Sequence, residues 1–221
     1  NGNISYPREI PTNTHNPSTK EIARTWNALY NAIYNANSFI ETVESRMEGW
    51  SAGDRQKATY YIAEARALRG LYYFELVRLF GNIALVTETA ESKKPKDYFE
   101  PAAPETVYAF IEEDLKYAAE ILPWATEDHV RESNAFRISR GAALGLLTKV
   151  YCTWAGQPVG DESKWAEAVK TARTLVESGR HGLLPQYKTL WENAGASMWD
   201  PTESLIEVSF YWDSKSASEP V

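Results

Sequence analysis

AEARALRGLYYFELVRLFGNIALVTE, residues 63–88, reads as a long helix rich in aromatics that stops at a glycine. Ala63, Ala65, Ala67 and Gly70 are small enough to let a neighbouring helix come close. Leu68, Tyr72, Leu76 and Leu79 recur at three- and four-residue steps and form an apolar stripe. Gly81 and Asn82 suit a left-handed C-cap, so the helix is expected from about 54 to 80. The pattern predicts helix-on-helix packing.

The same periodicity extends in both directions. Upstream, Ile22, Trp26, Leu29, Ile33, Ala36, Ile40 and Val43 share one helical face, with Ser18 or Thr19 as N-cap and Glu21 in the first turn. This helix is expected to pair with the next as a hairpin. Downstream, Pro95, Pro101 and Pro104 punctuate a connection. A third helix starts near Glu105, presents Val107, Phe110, Ile111, Asp114, Leu115, Ala118 and Leu122 for burial, and ends at Pro123. A fourth, 138–154, is apolar nearly all round through Ala142, Ala143, Leu146, Leu147, Val150 and Tyr151, and should be central. A fifth, 165–177, carries Ala168, Val169, Ala172, Leu175 and Val176 before Gly179 closes it. Ile206, Val208, Phe210 and Trp212 alternate with Glu207, Ser209 and Tyr211, the period of a strand. The expected fold class is mainly α: helical hairpins with irregular loops and a short strand element near the C-terminus, with Trp26, Leu76 and Leu146 buried.

With 221 residues, the chain can bury about 70% of its extended surface, enough for one core. A net charge of -7 and a pI near 5.1 argue against nucleic acid, which is met by clustered Lys and Arg. Lys93, Lys94 and Lys96, the densest basic cluster, sit beside prolines and read as a solvated loop. The single Cys152 lies in an apolar helical run and is expected in the core. No apolar run approaches the roughly 18 residues of a spanning helix, and residues 1–6 are polar rather than signal-like.

The run Arg66-Ala67-Leu68-Arg69, then Tyr72-Tyr73-Phe74, then Leu76-Val77-Arg78-Leu79-Phe80-Gly81 resembles the SusD/RagB family of outer-membrane nutrient-binding lipoproteins. WNALYNAIYNAN at 26–37, VYAFIEEDLKYAAEILP at 107–123, RISRGAALGLLTKVYCTWAG at 137–156 and ESLIEVSF at 203–210 resemble its other segments in order. One departure is Ala84, where the family usually has proline, which predicts a less rigid turn after Gly81. The resemblance implies tetratricopeptide-like hairpins with 1–221 as the N-terminal helical domain of a longer protein. It also implies an oligosaccharide ligand, a TonB-dependent outer-membrane transporter as partner, surface exposure, and membrane attachment only through a lipid anchor upstream of this segment. RagB-like peptide binding, or a glycan-processing enzyme with its site in the remaining half, are the alternatives.

Catalytic and metal motifs are absent from the sequence: no phosphate loop, no Gly-x-Ser-x-Gly, no His-Glu-x-x-His, and His15, His129 and His181 lack ligand spacing. No cofactor and no enzymatic activity are expected; the histidines read as loop decoration. Glu112, Glu113 and Asp114 point different ways on a helix and cannot converge on one glycosidic bond, and Asp114 is expected to pair with a buried arginine. Arg66 and Arg69 read as packing cations that pair with a carboxylate or stack on a ring. Tyr60, Tyr61, Tyr72 and Tyr73 read as core and groove fillers. Trp50 and Trp199 differ, standing in polar loops outside any periodic face. A flat indole stacks on the C–H face of a sugar while polar neighbours meet its hydroxyls; the alternative is that a loop tryptophan folds back as a plug over an apolar edge. The candidate ligand residues are therefore Trp50 and Trp199, with Tyr6, Arg8, Asn13, His15 and Asn16 offering polar chemistry ahead of the first helix.

Overall fold

The computed structural model describes residues 16, 19–89, 99–125, 127, 137–196, 198, 200 and 202–207. Helix α1 (Lys20–Glu44) follows an extended Thr19, with Glu21 in its first turn. Helix α2 (Ala52–Phe80) begins at Ser51, whose hydroxyl accepts from the Asp54 N–H and donates to the Asp54 carboxylate. That cap places the start ahead of the expected 54. It ends at Gly81, whose φ of +71° glycine adopts without strain, but whose ψ of -113° departs from the left-handed C-cap that was expected. Strands β1 (Ile83–Ala84) and β2 (Pro101–Ala102) form a short antiparallel pair. Helix α3 (Pro104–Ile121) carries proline in its first turn. Helix α4 (Arg140–Ala155) is capped by the Ser139 side chain, and α5 (Lys164–Glu177) is followed by α6 (Tyr187–Gly195).

Helices α1 to α5 pack in chain order, α1 on α2, α2 on α3, α3 on α4 and α4 on α5, so the described fold is a helical stack, mainly α as expected. Gly70 makes the α2–α3 seam close: a methyl group there would meet Leu115 Cγ at 3.4 Å. Ala63, Ala67, Tyr73, Phe74 and Leu76 from α2 and Val107, Ile111 and Leu115 from α3 fill it. At the centre of this apolar seam Asp114, fully buried, receives Arg66 at 2.7 Å and two hydrogen bonds of 2.8 Å from Arg69. Arg69 also donates to Asn37 Oδ1 at 2.7 Å and lies over the Phe110 ring, while Arg66 lies over Tyr117. A buried charge is tolerated only with such pairing.

The segment after α2 is strapped down by side chains. Tyr30 donates to the Ala84 carbonyl at 2.8 Å, Asn37 and Tyr73 donate to the Val86 carbonyl, and Glu41 accepts from the Thr89 N–H. Ala84 thus sits in a paired, tethered strand. Burial pushes the Tyr30 phenol up to about 12.

Several expectations are corrected. Leu76 is fully buried, but Trp26 and Leu146 are only half-buried, and Leu79 is exposed. Cys152 is exposed, because Val150, Tyr151 and Trp154 take the inward arc of that turn. On α5, Val169 and Val176 are exposed, for the described chain covers only one side of this last stacked helix. Helix α6, only 9 residues long, was not expected. His181 is not loop decoration: its ring nitrogens are buried, it faces Trp124, and a methyl group at Gly141 would overlap it. A methyl at Gly145 would come within 2.7 Å of Leu205, so these two glycines on α4 let the later chain settle against the helix. Of the expected strand, Ile206 and Glu207 are irregular, and Val208, Phe210 and Trp212 lie outside the described residues, as do Lys93, Lys94, Pro95 and Lys96.

Candidate functional site

The connection between α1 and α2 opens a groove of about 590 Å³. Gly49 has φ of +88°, a backbone turn that side chains disfavour, and it delivers Trp50 to the rim just before the Ser51 cap. Helix α1 contributes Phe39 and Val43, one turn apart on one face. Helix α2 contributes Asp54, Lys57, Ala58 and Tyr61 at the spacing of a second face. Ala58 is buried and forms the floor, whereas Phe39, Trp50 and Tyr61 are 40%, 38% and 37% exposed. Three rings thus stand partly free around an aliphatic base.

Polar chemistry is sparse here. Asp54, the one carboxylate on the described lining, is already engaged by Ser51, and Lys57 supplies the single cation. Behind the wall, Arg137 lies 4.5 Å from the Tyr61 ring centroid and binds both oxygens of Glu64, at 2.9 and 2.7 Å. Burial works against the Arg137 charge, yet hydrogen bonds with Glu64 and Tyr61 outweigh it and hold the guanidinium above its ordinary value.

A second depression of about 550 Å³ follows one face of α5, lined by Trp165, Val169, Lys170, Arg173 and Glu177. A single helix lines it, with one ring among charged side chains. The α1–α2 groove draws on two helices and a loop and presents three aromatic rings, Phe39, Trp50 and Tyr61, where the α5 depression presents only Trp165.

The acidic run of α3 disperses as its helical positions require. Glu113 pairs with Arg66, Asp114 with Arg66 and Arg69, and Glu112 with Lys116, Lys164 and Tyr151. Burial would raise Glu112, but hydrogen bonds from Lys116, Lys164 and Tyr151 win and hold it below the usual carboxylate value. Among the described residues no group of His, Cys, Asp and Glu is arranged to hold a metal.

Of the residues singled out in the sequence, Trp50 is at the groove and Asn16 precedes α1, its N–H donating to Thr19 Oγ1. Trp199, Tyr6, Arg8, Asn13 and His15 lie outside the described residues. Phe39, Val43, Lys57 and Tyr61 were not singled out as ligand residues. Phe39 falls beside the apolar stripe of α1, and an aromatic off the stripe yet next to a loop tryptophan was the available signal.

Residues 3–152 match the SusD-like family described as starch-binding, associating with the outer membrane. The chain belongs to the SusD-like family. It is 31% identical over 180 residues to a SusD-like protein of Bacteroides ovatus, a match covering 78% of this chain and 30% of that protein. A crystal structure of a SusD homolog from Bacteroides thetaiotaomicron is 57% identical with a TM-score of 0.89, covering 94% of this chain and 39% of the other. A crystal structure with a xylogluco-oligosaccharide superposes with a TM-score of 0.72 at 27% identity, covering 93% of this chain and 38% of the other. This SusD-like chain therefore spans less than two-fifths of the length of these relatives.

Proposed function

We propose that this SusD-like chain captures an oligosaccharide in the α1–α2 groove and passes it to a TonB-dependent transporter of the outer membrane. In this reading the protein is held at the cell surface by a lipid upstream of the segment, and 1–221 is the N-terminal helical part of the whole. The observation that carries it is Trp50, a half-exposed indole at the rim of a groove with two further open rings. An indole can cover the C–H face of a pyranose, and loss of water from both apolar faces drives the stacking. Trp199 and the polar Tyr6, Arg8, Asn13, His15 and Asn16 are assigned as further ligand contacts by chemistry alone. The relative solved with a xylogluco-oligosaccharide and the starch-binding description of the family support a glycan as ligand.

The role assigned is binding without catalysis. Glycoside hydrolysis uses two carboxyl groups about 5–10 Å apart across the scissile bond, and the described groove lining offers Asp54 alone. Calorimetric titration of the intact protein with xylogluco- and malto-oligosaccharides is the direct test. By analogy with base–aromatic stacking at about 1–3 kcal/mol per ring, Trp50→Ala should weaken binding roughly 5- to 150-fold. An unchanged affinity would remove Trp50 from the site, and shortened sugars after prolonged incubation would remove the non-catalytic role. The transfer step fails if the protein, purified from outer membranes, never carries a transporter barrel with it.

A further inference from the structure

Tyr61 lines the groove beside Trp50, yet its ring does not stand alone. On the same face of α2, three residues on, Glu64 grips Arg137 through both carboxylate oxygens, and the guanidinium covers Tyr61 at 4.5 Å. Both charged side chains are mostly enclosed, Arg137 at 19% and Glu64 at 14% exposure, so the pair is sheltered from solvent. The backbone that delivers Arg137 is itself fixed by the core. Ile138 is buried, Ser139 caps α4, and the Arg140 N–H donates to the Pro123 carbonyl at 2.9 Å. The guanidinium position is thus set by the junction of α3 and α4.

The geometry points to Tyr61 as a second sugar-stacking ring of the groove and to Arg137 as the positioning residue that holds this ring ready for the ligand. The inference rests on the reading of the groove as an oligosaccharide site and deepens it. A tyrosine on a helix surface ordinarily samples several rotamers, and immobilising it on binding costs free energy. Here a cation–π contact and an enclosed ion pair meet that cost during folding. The ligand then finds two aromatic surfaces, one from the loop and one from α2, with Ala58 and Val43 between them as an apolar base. Such a site selects sugars with extended C–H faces over small charged metabolites.

The experiment measures affinity of the intact protein for a xylogluco-oligosaccharide and a malto-oligosaccharide in Tyr61→Ala, Arg137→Gln, Arg137→Lys and the Tyr61→Ala/Arg137→Gln double variant. Tyr61→Ala should weaken binding roughly 5-fold or more, as removal of a stacking ring does. Arg137→Gln should weaken it roughly 2- to 10-fold, the scale of one released side chain. Arg137→Lys, which keeps a cation over the ring, should recover part of that loss. In the Tyr61→Ala background, Arg137→Gln should cost nothing more, since there is no ring left to hold. A fluorotyrosine resonance at position 61 should broaden or shift in Arg137→Gln without any sugar present.

An Arg137→Gln loss that persists undiminished without Tyr61 would overturn the positioning role, as would an unchanged fluorotyrosine resonance. If Trp50→Ala weakens binding and Tyr61→Ala does not, the second ring is wrong while the groove survives. If neither substitution alters affinity, or neither sugar binds, the groove reading falls and takes this inference with it.

Discussion

Arg69 and Arg137 are built alike: each binds both oxygens of one carboxylate and each lies over an aromatic ring, Phe110 at 4.8 Å and Tyr61 at 4.5 Å. Their surroundings differ. Arg69 and Asp114 are sealed in the α2–α3 seam at 8% and 0% exposure, whereas Arg137 backs a ring that opens on a groove. The same chemistry therefore serves two ends. In the seam the ion pair satisfies charges that would otherwise be stranded in an apolar core, and its cost of failure is structural. At the groove it orders a surface side chain, and its failure is felt in what the surface can hold.

Asp114→Ala is the most severe way to test the distinction. It leaves Arg66 and Arg69 without their buried partner, and such uncompensated charges cost about 3–5 kcal/mol. Chemical denaturation would show it. A loss under about 1 kcal/mol, the ordinary effect of a single substitution, would mean that the seam is no more dependent on its charges than the rim. Glu64→Gln, which weakens the grip on Arg137 at the rim, should cost about 1–3 kcal/mol, the scale of a hydrogen bond to a charged group. Equal effects at Glu64 and Asp114 would erase the contrast.

The seam was legible in the sequence for a physical reason. Burial on a helix repeats every three or four residues, so Ala63, Ala67, Gly70 and Leu76 announce their face, and the arginines that interrupt it require a carboxylate partner such as Asp114. The stack of five helices followed from the same repeat. What escaped was set by tertiary context. Whether Leu79 or Cys152 is covered depends on which neighbour reaches that arc, and helix α6, with 9 residues, is too short for its apolar pattern to declare itself. At the groove, Trp50 stood out because it is an indole in a polar loop, outside any periodic apolar face. Tyr61 did not, because its spacing is that of a core residue and only the position of α1 leaves it open.

Leu146 sharpens the comparison from the α4 side. It packs against the core but remains half-buried, so Leu146→Ala should cost about 1 kcal/mol. A fully packed leucine such as Leu115 should cost about 2–5 kcal/mol on the same change. A thermal or denaturant series over both sites reads the difference. Equal costs would show that Leu146 is as enclosed as Leu115.

Trp50→Ala should have the smallest effect on stability and, on the proposed function, a large one on binding. The indole is 38% exposed at a loop turn, and the cap that starts α2 is made by Ser51 and Asp54 without it. Surface changes of this kind stay within about 0.5 kcal/mol. A denaturation midpoint that holds while sugar affinity drops would separate the rim from the seam in a single variant. Should stability fall by about 2 kcal/mol or more, the scale of a buried side chain, Trp50 is instead a plug over the end of the α1–α2 pair. The open rings of Phe39 and Tyr61 would then be the edges of that plug rather than the walls of a binding groove.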